Sequence, residues 1–191
     1  MTKTISRAFI LFLVLAVITG VVYPLVITGI TALIFPAQAQ GSLLYKDGKV
    51  IGSALVGQDF TDPQYFQGRP SAAGENGYDG TSSSGTNLGP TNKTLVNAVS
   101  ERADRVRAAN GMESAAPVPS DLVTASASGL DPHISRAAAN LQIARVARAR
   151  NVSQQKVKIL VEKYTEKPQF GFIGEPRVNV LRLNLALDAL K

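Results

Sequence analysis

The sequence predicts one membrane-spanning helix followed by a small α+β domain. Three observations carry this. An uncharged apolar run opens the chain, an Asp-Gly turn joins two short apolar strands after it, and helical spacings then alternate with strand-like runs to the end. At 191 residues the chain has room for one modest domain and an appendage. Charged residues make up only 18%, below the roughly 25% of an average soluble domain, and the shortfall is concentrated at the N-terminus.

After Lys3 and Arg7 no charge appears until Lys46, and residues 8–35 read AFILFLVLAVITGVVYPLVITGITALIF. As a helix this run would measure about 42 Å against a hydrocarbon core of about 30 Å, so tilt or a kink at Pro24 must absorb the excess. A cleaved signal peptide is the rival reading, with Ala37-Gln38-Ala39 as a cleavage pattern. The run is nearly twice the length of a signal h-region, which favours an anchor. Lys3 and Arg7 hold residues 1–7 in the cytoplasm by the positive-inside rule, residues 8–35 cross, and residues 36–191 form an extracytoplasmic domain. The expected location is the inner (plasma) membrane, in a single pass. Gly20, Gly29 and the threonines 19, 28 and 31 are small enough for helix approach, but the glycines are not in GxxxG spacing.

Residues 43–57, LLYKDGKVIGSALVG, predict a hairpin turning at Asp47-Gly48. Residues 58–93 are polar and glycine-rich and too long for an idle connector; composition alone reads them as flexible. Asn92 then caps a helix whose inner face is Leu95, Val99, Ala103 and Val106, ending at Asn110-Gly111. Residues 121–125 read as a short strand. Asp131-Pro132 reads as the start of a helix over 132–150 with an apolar face of Ile134, Ala137, Ala138, Leu141 and Ala144, which puts His133 in its first turn. Ser153 caps a further helix buried through Val157, Leu160, Val161 and Tyr164. Residues 177–183 read as a strand and 184–190 as a closing helix.

Several chemistries are excluded or weak. The chain has no cysteine, so disulfides, thiolate metal sites and a cysteine nucleophile are absent, and one histidine cannot build a multi-His metal site. No phosphate-binding loop occurs. Ser153-Gln154-Gln155-Lys156 has the SxxK form of a serine acyltransferase, yet Ser153 already explains itself as a cap and the companion motifs are missing. An exported hydrolase would rest on that pair alone. Residues 136–158 carry Arg136, Arg145, Arg148, Arg150, Lys156 and Lys158 with no acid. This reads as a solvated face, or as a surface for an anion. Interleaved aromatics are lacking, so nucleic acid is not an expected partner.

Four segments together resemble one family: YFQGRPSA at 65–72, SGTNLGPTN at 84–92, DLVTASASGLDPHIS at 121–135 and GEPRVNVLRLNLALD at 174–188. They are similar to the C subunit of the bacterial high-affinity potassium-transporting ATPase of the Kdp type. Ala127 stands where the family usually has glycine, and Ser83-Ser84-Gly85-Thr86 where a Ser-Gly-Gly-Ser run is common. The resemblance implies a non-catalytic subunit with no covalent cofactor. Its partners would be a potassium-translocating subunit, an ATP-hydrolysing P-type subunit and a small single-helix subunit in the bilayer, with potassium handled by the complex. It also implies a catalytic-chaperone role raising the ATP affinity of the ATPase subunit, with nucleotide contacted by a QxxR pair, here Gln142 and Arg145. ATP is cytoplasmic whereas the positive-inside reading puts these residues outside. The sequence therefore favours assembly and stabilisation, with Gly68, Arg69, Pro70, Asn87, Gly89, Pro90 and Asn92 as docking residues. The alternative is a membrane-anchored exported binding protein for an anionic ligand.

Overall fold

The computed structural model describes residues 2–190 and divides into two compact units, the first ending at Ser53 and the second beginning at Ala54.

In the first unit a continuous helical run covers Thr2–Ile34: α1 (Thr2–Val17), a π-helical turn (Ile18–Val22) and α2 (Tyr23–Ile34). None of its described residues is buried by protein, and the run is long and apolar enough to cross a membrane. The π turn lies just ahead of Pro24, which lacks an N–H and crowds the carbonyl one turn back, at Gly20; widening the turn relieves that clash. The kink expected at Pro24 is thus a local change of helix type. Thr19 and Thr31 each donate a hydroxyl to the carbonyl four residues back, Leu15 and Ile27, both at 2.8 Å, so both hydroxyls are satisfied within the helix. A single turn, α3 (Pro36–Ala39), leads to the hairpin β1 (Leu43–Lys46) and β2 (Lys49–Ser53). Asp47 (φ 52°) and Gly48 (φ 76°) form the left-handed pair that a two-residue hairpin turn demands. The hairpin ends at Ser53, short of the expected residue 57.

The second unit contains α4 (Lys93–Asn110), a 3-10 turn (Ser120–Leu122), β3 (His133–Ser135), α5 (Arg136–Ala149), α6 (Gln154–Lys163), β4 (Thr165–Glu166), β5 (Arg177–Asn179) and α7 (Val180–Asp188). Its sheet is antiparallel in the order β3-β5-β4, with Ile134 opposite Val178 and Thr165 also opposite Val178. Phe66, Ile134, Val146, Val157, Val161, Leu183 and Leu187 form the centre of the core. Caps explain the helix limits. Asn92 accepts from Thr94 N, Ser135 from Ala138 N, Ser153 from Lys156 N and Asn179 from Arg182 N.

Four expectations are corrected. Residues 121–125 form no strand: the chain coils at Ser120–Leu122, and the Asp121 carboxylate turns inward to accept from Ser135 N (2.6 Å) and Ser135 Oγ (3.2 Å). The helix expected from residue 132 begins at Arg136. Asp131 accepts from His133 N in a local turn, residues 133–135 remain extended to pair with β5, and Ser135 takes the cap. His133 therefore sits on a strand. The buried face of α5 is also rotated from the expected one: Ala137 is exposed, while Ala138, Ala139, Gln142, Ile143, Arg145, Val146 and Ala147 are buried. Finally the strand expected over 177–183 stops at Asn179, whose side chain starts α7; Val180, Leu183, Asn184 and Leu187 then face the core at helical spacing.

Candidate partner-docking surface

The polar segment 58–92 has no regular strand or helix, and hydrogen bonds tie it to the rest of the domain between Pro63 and Ser83. Phe66 is fully buried and drags its backbone into the core, where each N–H and C=O needs a partner. Two side-chain amides supply them. Phe66 N donates to Asn184 Oδ1 and Asn184 Nδ2 to Phe66 O, both at 2.9 Å. Next along the chain, Gln67 N donates to Gln142 Oε1 at 2.8 Å and Gln142 Nε2 to Gln67 O at 3.1 Å. Each amide reproduces the paired exchange of an antiparallel ladder, so α7 and α5 grip consecutive residues as strands would.

Arg145 completes the grip. Its Nη1 donates to the carbonyls of Pro63 (2.6 Å) and Tyr65 (3.0 Å), its Nη2 to Gln142 Oε1 (2.6 Å) and its Nε to Asn110 Oδ1 (3.1 Å). The side chain is 7% exposed, and every acceptor is a neutral oxygen. Burial pulls its pKa down, yet a guanidinium keeps its proton, and the rigid fork holds three chain segments at once. Arg150 extends the same strategy, donating to Gln64 O (2.8 Å) and Leu187 O (3.1 Å), pairing with Asp188 (2.8 Å) and lying 4.8 Å above the Tyr65 ring.

The following stretch is packed by close backbone approach. Arg69 pairs with Asp131 at 3.1 Å, Ser71 Oγ donates to Gly129 O at 2.6 Å, and the Tyr78 hydroxyl donates to the Arg69 carbonyl. Burial, with Asp59 and Asp131 adding to it, pushes the Tyr78 pKa up to about 12, so the phenol remains a donor. At Gly129 (φ 68°) a Cβ would lie 2.5 Å from Ser84 O and 2.7 Å from Ala73 N, so only glycine lets these strands of loop close. Burial opposes ionisation of Asp131, but hydrogen bonds from His133 and Arg69 outweigh it and hold the carboxyl below the usual range.

This places the expected docking residues in two groups. Gly68, Arg69 and Pro70 line a cleft of about 530 Å³ with Asp59, Tyr78, Arg102 and Arg105. Asn87 (φ 53°), Gly89 and Pro90 lie on the exposed edge, and Asn92 is spent as the cap of α4. Gln142 and Arg145 lie together, at 2.6 Å, with their polar atoms turned to the domain's own backbone. The basic cluster divides: Arg136, Arg148, Lys156 and Lys158 are exposed, while Arg145 and Arg150 face inward. Ser153 Oγ accepts from Lys156 N at 3.3 Å, which is capping geometry. His133 lies between Asp131 (3.5 Å) and Glu166 (3.6 Å). Among the described residues no group of three or more His, Asp or Glu could hold a metal ion. Sequence reasoning missed Asn184 and Tyr78; a polar residue breaking the apolar run of 180–187 was the available signal for the first.

The family model described as KdpC, K+-transporting ATPase, c chain, matches residues 5–189. The chain is 58% identical over 191 residues to the potassium-transporting ATPase KdpC subunit of Polaromonas naphthalenivorans, covering all of this chain and 97% of that protein. It is 59% identical over 191 residues to the subunit of the same name from Methylococcus capsulatus, covering both chains in full. A third relative of that name, from Gemmatimonas aurantiaca, is 54% identical over 190 residues, covering all of this chain and 94% of that protein.

Proposed function

The chain belongs to the KdpC family, the c chain of the K+-transporting ATPase, and on that premise we propose that it assembles and stabilises the complex through the rigid face of its 58–92 segment. Membership makes it an accessory subunit of a membrane-bound potassium-transport complex. The further reading is that it is non-catalytic and meets the potassium-translocating, ATP-hydrolysing and single-helix subunits there. Lys3 and Arg7 ahead of the apolar helix support a cytoplasmic N-terminus with the domain outside, near the potassium entrance.

One observation carries the docking reading: a segment whose composition suits a flexible linker is instead held to the domain, at residues 63–67 by the buried side chains Asn184, Gln142 and Arg145 and at Ser83 by a bond to the Ser128 carbonyl. A surface already ordered spends little conformational entropy on binding. Its exposed edge at Asn87, Gly89 and Pro90, and the cleft at Gly68, Arg69 and Pro70, are then ready for a partner.

Direct capture of ATP by Gln142 and Arg145 would need both residues to release the backbone they hold. On this reading they affect ATP affinity only through the shape of the docking face and thus through assembly. Gly89 offers a clean test, because a Cβ there meets nothing within 4 Å. Gly89→Trp should leave the domain folded while the complex no longer co-purifies and potassium uptake falls. Normal co-purification and uptake would remove this face from the interface.

A further inference from the structure

After β4 the chain makes a narrow hairpin at residues 167–174, KPQFGFIG. Gln169 N donates to Ile173 O and Ile173 N to Gln169 O, both at 2.9 Å, and Gly171 N closes onto Pro168 O at 3.1 Å. The tip turns through Phe170 (φ 54°) and Gly171 (φ 84°). A phenylalanine in left-handed backbone is a rare conformation, held here by the paired bonds on either side. What the hairpin projects is apolar: Phe170 is 85% exposed, Phe172 79% and Ile173 50%. Other large exposed apolar residues of this unit, such as Leu55, Val96 and Ile159, are scattered along its sequence, whereas these three are neighbours. Two phenylalanines facing water in a fixed hairpin mark a contact surface.

We infer that this hairpin is a membrane-contact tip, which seats Phe170, Phe172 and Ile173 in the lipid interface while the N-terminal helix holds the domain beside the bilayer. Two features favour lipid over a protein pocket. The chain between Ile34 and Ala54 can reach at most about 70 Å, so a bilayer is permanently available at high effective concentration and a small apolar tip suffices. The tip itself, residues 167–174, carries Lys167 and no acid; Glu166 beside it is paired with Arg177 at 3.0 Å, and the acids further out, Glu162 and Glu175, stand against Lys163. Aromatic side chains with a lysine at the base of the hairpin and no acid on it suit a headgroup layer. The inference rests on the N-terminal helix crossing the bilayer.

The sequence has no tryptophan, so single indoles report without background. The full chain would be reconstituted in phosphatidylcholine–phosphatidylglycerol vesicles as Phe172→Trp, as Ile159→Trp on the exposed face of α6, and as Phe12→Trp in the anchor. With lipids brominated near the headgroup end of the acyl chain, Phe172→Trp should be quenched about twofold, as expected of a side chain about 5–10 Å deep in the interface. Ile159→Trp should remain unquenched, and adding Phe170→Ser to Phe172→Trp should weaken the quenching. Water-like, unquenched emission from Phe172→Trp beside a quenched Phe12→Trp overturns the inference and gives the tip to a protein partner. An unquenched Phe12→Trp removes the anchor premise, and the inference with it.

Discussion

Asn184 on α7 and Phe66 in the 58–92 segment exchange two hydrogen bonds of 2.9 Å through a single side-chain amide, a strand pairing made without a strand. That pairing and its neighbour, Gln142 with Gln67, fasten the start of the glycine-rich segment to α7 and α5.

Removing the amide should be costly. Asn184→Leu leaves a buried N–H and a buried C=O of Phe66 without partners, at about 1–3 kcal/mol each. A loss of about 2–5 kcal/mol in unfolding free energy is expected, read from urea titration of the detergent-solubilised chain. A change below 0.5 kcal/mol, about the size of an ordinary surface substitution, would mean the pairing is incidental.

Arg145→Lys keeps the charge but loses the fork. One ammonium cannot reach Pro63 O, Tyr65 O, Asn110 Oδ1 and Gln142 Oε1 together, so the segment should loosen while the helices persist. Hydrogen exchange at Phe66 and Gln67 should quicken by about tenfold or more, corresponding to about 1.4 kcal/mol of local stability. Unchanged protection there would contradict the clamp.

Gly129 and Gly89 form a matched pair. Gly129→Ala puts a methyl against backbone at 2.5 Å and strains a φ of 68°, and should cost more than about 1 kcal/mol. Gly89→Ala enters open space and should stay within about 0.5 kcal/mol of the wild type. Thermal unfolding of the two variants side by side checks the ordering.

Acid should loosen the same face through Asp131. Its folded pKa is below its unfolded value, so the stability it contributes is fully present above about pH 4 and is lost as pH falls through the lower folded value. Asp131→Asn should be less stable than the wild type at pH 6, and the difference should shrink as pH falls below 4. A constant difference across that range would detach Asp131 from the acid response.

These residues also mark how far the sequence could be read. The long apolar N-terminal helix, the Asp47-Gly48 hairpin and the helices capped by Asn92 and Ser153 rest on local signals, long apolar runs and caps, and the structure has all of them. Two of the errors share one cause, a short polar residue able to serve two conformations. Asp131 looked like a cap but Ser135 was used; Asn179, expected in mid-strand, is both the last residue of β5 and the cap that starts α7. The order of residues 58–92 was not legible, because it depends on Asn184, Gln142 and Asp131, far along the chain. Gln142 and Arg145 stood out as a pair, yet nothing local indicated that they face the core.

On the function proposed above, the exposed edge at Asn87, Gly89 and Pro90 meets the partner subunits outside the cell membrane. The chain has no cysteine, so Gly89→Cys would carry the only thiol in this subunit. Intact cells would be treated with a membrane-impermeant thiol reagent, with and without co-expression of the other subunits, and this subunit then isolated and assayed for label. The account predicts labelling from outside when the subunit is alone and protection when the complex is assembled. Equal labelling in both cases, or labelling only after lysis, would contradict it.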